Sequence, residues 1–124
     1  MCPGPKPLPI TITVSATTAL PWPPGLSDGL TSVPIGGAND ADFTTEVVPG
    51  QQVIFVTAGD IIAITQITES AGDLFSINPT PENNFTGTIG PKKAILNSEY
   101  TLYYTVKGHE GTVYEQDPKL NMKV

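Results

Sequence analysis

The sequence predicts an all-β fold: an antiparallel Greek-key β-sandwich of seven to nine strands. Three observations predict it. Apolar residues recur at every second position in several separate segments, turn-forming Pro, Gly, Asn and Asp interrupt the chain at short intervals, and no segment carries a helical period.

Residues 1–9 (MCPGPKPLP) have proline at nearly every second position, which forbids helix and favours an extended, polyproline-like arm. Ile10 to Ser15 then alternates strictly, with Ile10, Ile12 and Val14 on one face and Thr11, Thr13 and Ser15 on the other, as a half-buried strand does. Residues 16–41 are rich in Pro and Gly and are expected to form a long loop on the sandwich. Phe43 to Val48 suggests a strand ended by the Pro49-Gly50 turn pair, and Gln51 to Thr57 follows as a β-branched run, so the two are expected to be neighbours in one sheet.

Ile61 to Thr68 is a further β-rich segment, and Leu74, Phe75 and Ile77 form a short apolar cluster before the Pro- and Asn-rich surface loop 78–84. Phe85 to Ile89 alternates again, with Phe85, Gly87 and Ile89 expected to face inward. The clearest strand is Tyr100 to Lys107, where Tyr100, Leu102, Tyr104 and Val106 share one face. Gly108 to Gly111 is a four-residue hairpin loop returning into Thr112 to Gln116. After Asp117-Pro118, the last segment alternates so as to bury Leu120, Met122 and Val124.

At 124 residues the chain suits one hydrophobic core, so 10–124 is expected to be a single sandwich domain behind the arm. Six Lys, no Arg and twelve Asp or Glu give a net charge of -6, which repels phosphate backbones and argues against nucleic acid. Without Arg there is no bidentate fork for phosphate or carboxylate groups. Cys2 is the single cysteine, so no intramolecular disulfide forms. No apolar run approaches the roughly 18 residues of a membrane helix, and residues 1–9 lack the order of a signal peptide. The compartment is left open; an upstream signal or an assembly context would place the chain outside the cell, on its surface or in a virion. Met1-Cys2 ahead of a Pro-rich tether fits either an ordinary terminus or a lipid-attachment cysteine.

The run from Tyr100 to His109 (YTLYYTVKGH) resembles the last strands of the cupredoxins, whose pattern is aromatic, x, aromatic, aromatic, Cys, x, aromatic, Pro, Gly, His. Gly108 and His109 fall on the family's Gly-His, and Pro49 to Phe55 (PGQQVIF) is similar to its P-G-D-x-V-x-F strand. The resemblance implies the fold without the copper: Tyr104 stands where the thiolate ligand belongs, and His109 is the only histidine. Immunoglobulin-like topology fits the strand count equally well. The closing segment Tyr114 to Val124 also resembles short, uncharacterised bacterial β-sandwich proteins that end in T-x-D-P-K-I-x-V, a resemblance that implies no activity.

No catalytic constellation stands out, so no enzyme and no cofactor is expected. His109 is the only base available near neutral pH, in a glycine-flanked hairpin tip expected to be exposed. Asn39, Asp40 and Asp42 gather oxygen donors of the kind calcium takes, but turn chemistry accounts for them equally and no metal site is assigned. Asn84-Phe85-Thr86 matches a glycosylation acceptor pattern. Three residues remain as partner or ligand contacts: Trp22, bracketed by Pro21 and Pro23, either pinning its loop or displayed; Tyr103, opposite in facing to Tyr100 and Tyr104; and His109.

The expected function is a non-enzymatic structural or adhesive module of a surface, filament or virion, self-associating or joining a protein partner through its N-terminal segment. A carbohydrate- or protein-binding module is the alternative, and a metal-binding electron-transfer protein comes third.

Overall fold

The computed structural model describes residues 8–36, 43–48, 50–69, 75–90 and 98–122. Among them are eleven strands: β1 (Ile10–Ala16), β2 (Gly25–Ser27), β3 (Ser32–Val33), β4 (Thr44–Val47), β5 (Gln52–Gly59), β6 (Ile61–Glu69), β7 (Phe75–Ile77), β8 (Thr86–Ile89), β9 (Ser98–Val106), β10 (Tyr114–Gln116) and β11 (Lys119–Met122). One 3-10 turn, Pro81–Asn83, is the only helical element among the described residues. The fold is therefore all-β, as the alternation predicts.

The strands form two sheets, one of six strands in the order β3-β2-β1-β5-β8-β7 and one of five in which β10, β9, β11 and β4 follow one another and β6 pairs with β9. Both sheets are mixed, which corrects the antiparallel expectation. β1 runs parallel to β5 from Ile10↔Val53 to Ala16↔Gly59, and β11 runs parallel to β4 from Lys119↔Thr44 to Met122↔Val47. Alternation reports which face a residue occupies and is the same for either strand direction, so it carries no signal for this.

Three further expectations change. Segment 16–41, read as a loop, carries β2 and β3, which extend the first sheet beyond β1. Phe43 to Val48 and Gln51 to Thr57 are not neighbours: β4 lies in the second sheet and β5 in the first, so the turn between them crosses the sandwich. In β6 the buried residues are Ile61, Ile64 and Ile67, a spacing of three. Register shifts against β9 between Ile61 and Ala63 and between Ile64 and Gln66 make that possible, because each bulge inserts a residue and turns the following side chain back to the core.

The interior is one apolar cluster. Ile12, Val14 and Ala16 from β1 meet Tyr100, Leu102, Tyr104 and Val106 from β9, all fully buried. Tyr100 packs edge-on against Phe55 of the opposite sheet, with ring centroids 5.5 Å apart. Phe85, Gly87 and Ile89 behave nearly as expected, with Gly87 and Ile89 buried and Phe85 half-buried. Leu120 is buried, whereas the side chains of Met122 and Val124, like residue Leu74, lie outside the described residues.

Strand directions define two poles. The start of β1 and the ends of β4 and β11 meet at one, where the Gln51 side chain donates to the Leu8 carbonyl at 2.8 Å. The end of β1, the start of β6 and the end of β9 meet at the other. There the Asp60 N–H donates to the Ala16 carbonyl at 2.8 Å, and the Lys107 N–H donates to the Asp60 carbonyl at 2.8 Å. Seven residues of β1 separate the poles, roughly 20 Å of strand.

Candidate functional site

Among the described residues, polar and aromatic groups come together at the hairpin pole, and polar groups line a cleft along the flank near the Leu8 pole.

At the hairpin pole the chain leaving β1 lies as a strap over the turn between β9 and β10. Thr18 is its anchor. The Thr18 N–H donates to an Asp60 carboxylate oxygen at 3.0 Å and its hydroxyl to the Lys107 carbonyl at 2.8 Å. The Thr18 carbonyl receives His109 Nε2 at 2.9 Å; since a carbonyl only accepts, that nitrogen carries the proton. Gly108 is required beneath this anchor. Its φ is +86°, and a Cβ there would stand 2.8 Å from the Thr18 methyl group. Glu110 closes the tip by accepting the Gly108 N–H at 2.8 Å, which is the main reason its carboxyl lies below the ordinary value.

Further along the strap, the Tyr104 hydroxyl donates to the Pro21 carbonyl at 2.7 Å and the Trp22 indole N–H to the Glu115 carbonyl at 2.8 Å. Tyr104 and Tyr114, opposite each other across β9 and β10, stack with centroids 5.7 Å apart, and the His109 ring stands edge-on to Tyr114 at 6.1 Å.

Of the three residues that sequence reasoning singles out, Trp22 and His109 are therefore brought to one end of the molecule and tied to the same hairpin. His109 is half-buried and engaged, not the freely exposed loop residue expected. Trp22 combines both of its readings: the indole nitrogen pins the loop, while 49% of the residue stays exposed. Tyr103 is not in the cluster. It lies half-buried on the outer face of β9, cross-strand from Glu115 and Gln66. Sequence reasoning passed over Thr18 and Asp60; the only trace they leave is turn composition, because their roles depend on contacts 42 to 91 residues away in the chain.

The copper centre of the cupredoxins does not fit these residues. The position matching the thiolate holds Tyr104, whose hydroxyl is spent on Pro21, and the one imidazole has its Nε2 on Thr18. Among the described residues no group of three or more His, Cys, Asp and Glu gathers. Asn39, Asp40, Asp42 and Cys2 lie outside the described residues. No described helix is long and apolar enough to cross a membrane.

The second place is an open cleft of about 940 Å³ between the start of β1, the β2–β3 turn and β4. Asp28 stands in its wall and organises the turn. Its carboxylate accepts the backbone N–H groups of Leu30 at 2.9 Å and Thr31 at 2.8 Å, the Thr31 hydroxyl at 3.2 Å and the Thr45 hydroxyl at 2.7 Å. Partial burial raises its pKa, but those four bonds together outweigh burial and leave the carboxyl below its ordinary value. The Thr45 bond crosses from the first sheet to the second, so Asp28 holds the flank together. In the sequence, Ser27-Asp28-Gly29 looks like any tight turn, and nothing local signals that link.

No protein-family model and no curated protein matches this chain.

Proposed function

We propose that the protein is a non-enzymatic β-sandwich module with a structural or adhesive role, held through its Pro-rich arm and meeting a partner at the opposite pole. The observation that carries this reading is the placement of the groups. Residues 1–9 precede β1 in the chain and the described Leu8 and Pro9 lie at its start, while Thr18, His109 and the aromatic cluster occupy the end of the molecule away from it. A tether at one end and fixed aromatic groups toward the other is the geometry that presents a contact surface outward.

Trp22 is the residue assigned to that contact. With its N–H already bonded, the ring is held in one orientation and offers an apolar face whose ordering has been paid in advance. The same fixed face favours carbohydrate as the second reading, because a sugar ring stacks its C–H face on an indole. Exchange of β1 between copies is disfavoured by its central position, hydrogen-bonded to β2 on one side and β5 on the other. The parallel pairs β1–β5 and β4–β11 depart from the wholly antiparallel sheets of an immunoglobulin domain, which supports the cupredoxin-like side of the resemblance.

The test anchors the protein through a linker on Cys2 and challenges it with glycan arrays and with surface-protein extracts, comparing the natural chain with Trp22→Ala. Retention that falls at least tenfold in the variant, with an unchanged circular dichroism spectrum, is expected; for glycans, quenching of Trp22 fluorescence accompanies it. Absence of any retained partner, or retention indifferent to Trp22→Ala, overturns the proposal.

A further inference from the structure

We infer that the flank cleft receives residues 1–7 of a second copy, so that two chains exchange their Pro-rich arms reciprocally about a two-fold axis. In this arrangement the arm holds the module to a second copy and not to a foreign surface, so the inference specifies the attachment proposed above and does not depend on the role assigned to the hairpin pole.

The cleft carries an unusual surface for a small acidic protein. Ile10, Val47 and Val48 line it together with Leu8 and Leu30, and the last two are 82% and 94% exposed. Two large aliphatic side chains displayed beside one groove that Ile10, Val47 and Val48 also line mark a surface that something covers.

The identity of the occupant follows from where the arm begins. Leu8 and Pro9 themselves line the cleft, and residues 1–7 directly precede them in the sequence. Seven residues extended as a polyproline helix would span roughly 20 Å, comparable with the stretch of groove lined by Ile10, Thr11 and Thr13 of β1. The same prolines decide between a chain's own cleft and a neighbour's. Pro5, Pro7 and Pro9 fix φ at alternate positions and bias each preceding residue toward extended conformations, so the sequence disfavours the sharp reversal that self-docking needs. A two-fold axis beside Leu8 removes that need: each arm continues outward and meets the partner's cleft, and the exposed Leu8 and Leu30 of both copies come under cover together.

Charge agrees with this arrangement. Lys6 is the only charged side chain in the arm. Asp28, in the cleft wall, is solvated by four neutral donors, so a lysine from the partner adds the opposite charge without displacing a bond. Two chains of charge -6 repel at long range, and a reciprocal Lys6 to Asp28 contact places attraction where the copies touch.

The experiment is sedimentation velocity of the full chain at tens of micromolar, in reductant so that Cys2 forms no cross-link. It is repeated for Leu30→Asp, for Lys6→Glu and for a chain lacking residues 1–7, each first shown to keep the circular dichroism spectrum of the full chain and to unfold cooperatively. The full chain is expected at twice the 13.1 kDa of one copy. The truncated chain and Leu30→Asp should sediment as monomers, and Lys6→Glu should dissociate at higher protein concentration than the natural chain. A monomeric full chain overturns the inference, including one whose arm lies in its own cleft. So does a dimer that survives truncation, or one that depends on the arm yet ignores Leu30→Asp.

Discussion

The Tyr104 hydroxyl donates a 2.7 Å hydrogen bond to the Pro21 carbonyl, joining residues 83 apart in sequence and tying the strap to β9. Tyr104→Phe preserves the ring and its stack on Tyr114 but leaves the Pro21 carbonyl without its donor. A loss of about 1–2 kcal/mol is expected, read as a lower urea midpoint at unchanged slope. An unaltered midpoint would show that the strap is held elsewhere.

Tyr100 is the converse case on the same strand face. It is fully buried, and its hydroxyl has no hydrogen-bond partner among the described residues. Desolvation of that group opposes folding, so Tyr100→Phe is expected to be neutral or to stabilise by up to about 1 kcal/mol. Destabilisation beyond about 1 kcal/mol would mean that the hydroxyl is bonded after all.

Alkaline pH exposes the same group. Burial, and to a smaller extent the charge of Asp28, push the Tyr100 phenol well above its ordinary value. Above about pH 10 the unfolded chain therefore releases a proton that the folded chain keeps, and stability must fall as pH rises further. Tyr100→Phe lacks this component. Its stability advantage over the natural chain should widen between about pH 9 and about pH 11, and parallel pH profiles would refute the assignment.

Several of these relationships were legible in the sequence and others were not, for identifiable reasons. β1 and β9 bury alternate residues, so Ile12, Val14, Tyr100, Leu102, Tyr104 and Val106 declare their faces locally. β6 hides its face because two bulges convert a period of two into a spacing of three, and a bulge is a property of the pairing with β9 rather than of β6 alone. Which strands pair, and in which direction, is settled by contacts between distant segments; Phe43 to Val48 carries the same pattern whether it neighbours β5 or β11. At the hairpin pole Trp22 and His109 stood out by rarity. Thr18, Asp60 and Asp28 did not, since Thr and Asp are ordinary turn residues until a partner from elsewhere meets them.

Asp28→Ala tests the flank. The substitution removes the acceptor for two backbone N–H groups and for the Thr45 hydroxyl, and Thr45 is itself buried. A loss of about 1–3 kcal/mol is expected at neutral pH. Because the folded carboxyl lies below its ordinary value, the stability it contributes is present above about pH 4 and disappears as pH falls through the folded value. The difference between the natural chain and Asp28→Ala should therefore shrink on acidification. A difference that stays constant down to low pH would assign the loss to turn geometry and not to the carboxylate.

Gly59 marks the point where the chain leaves the first sheet for the second, and there the conformation and the space are both restricted. Its φ is +68°, and a Cβ would stand 2.5 Å from the Ala16 carbonyl oxygen. That oxygen cannot easily retreat, because it accepts the Asp60 N–H at 2.8 Å and Ala16 is fully buried. Gly29 offers the control: its φ is +91°, but nothing lies within 4 Å of a Cβ built on it. Gly29→Ala should thus cost only the backbone preference, about 1 kcal/mol, whereas Gly59→Ala adds a clash with main chain and should reach about 2–3 kcal/mol. Equal losses at the two sites, measured by urea denaturation, would show that the Ala16 carbonyl yields. The crossing between sheets would then be held by Asp60 and the strap and not by close packing at Gly59.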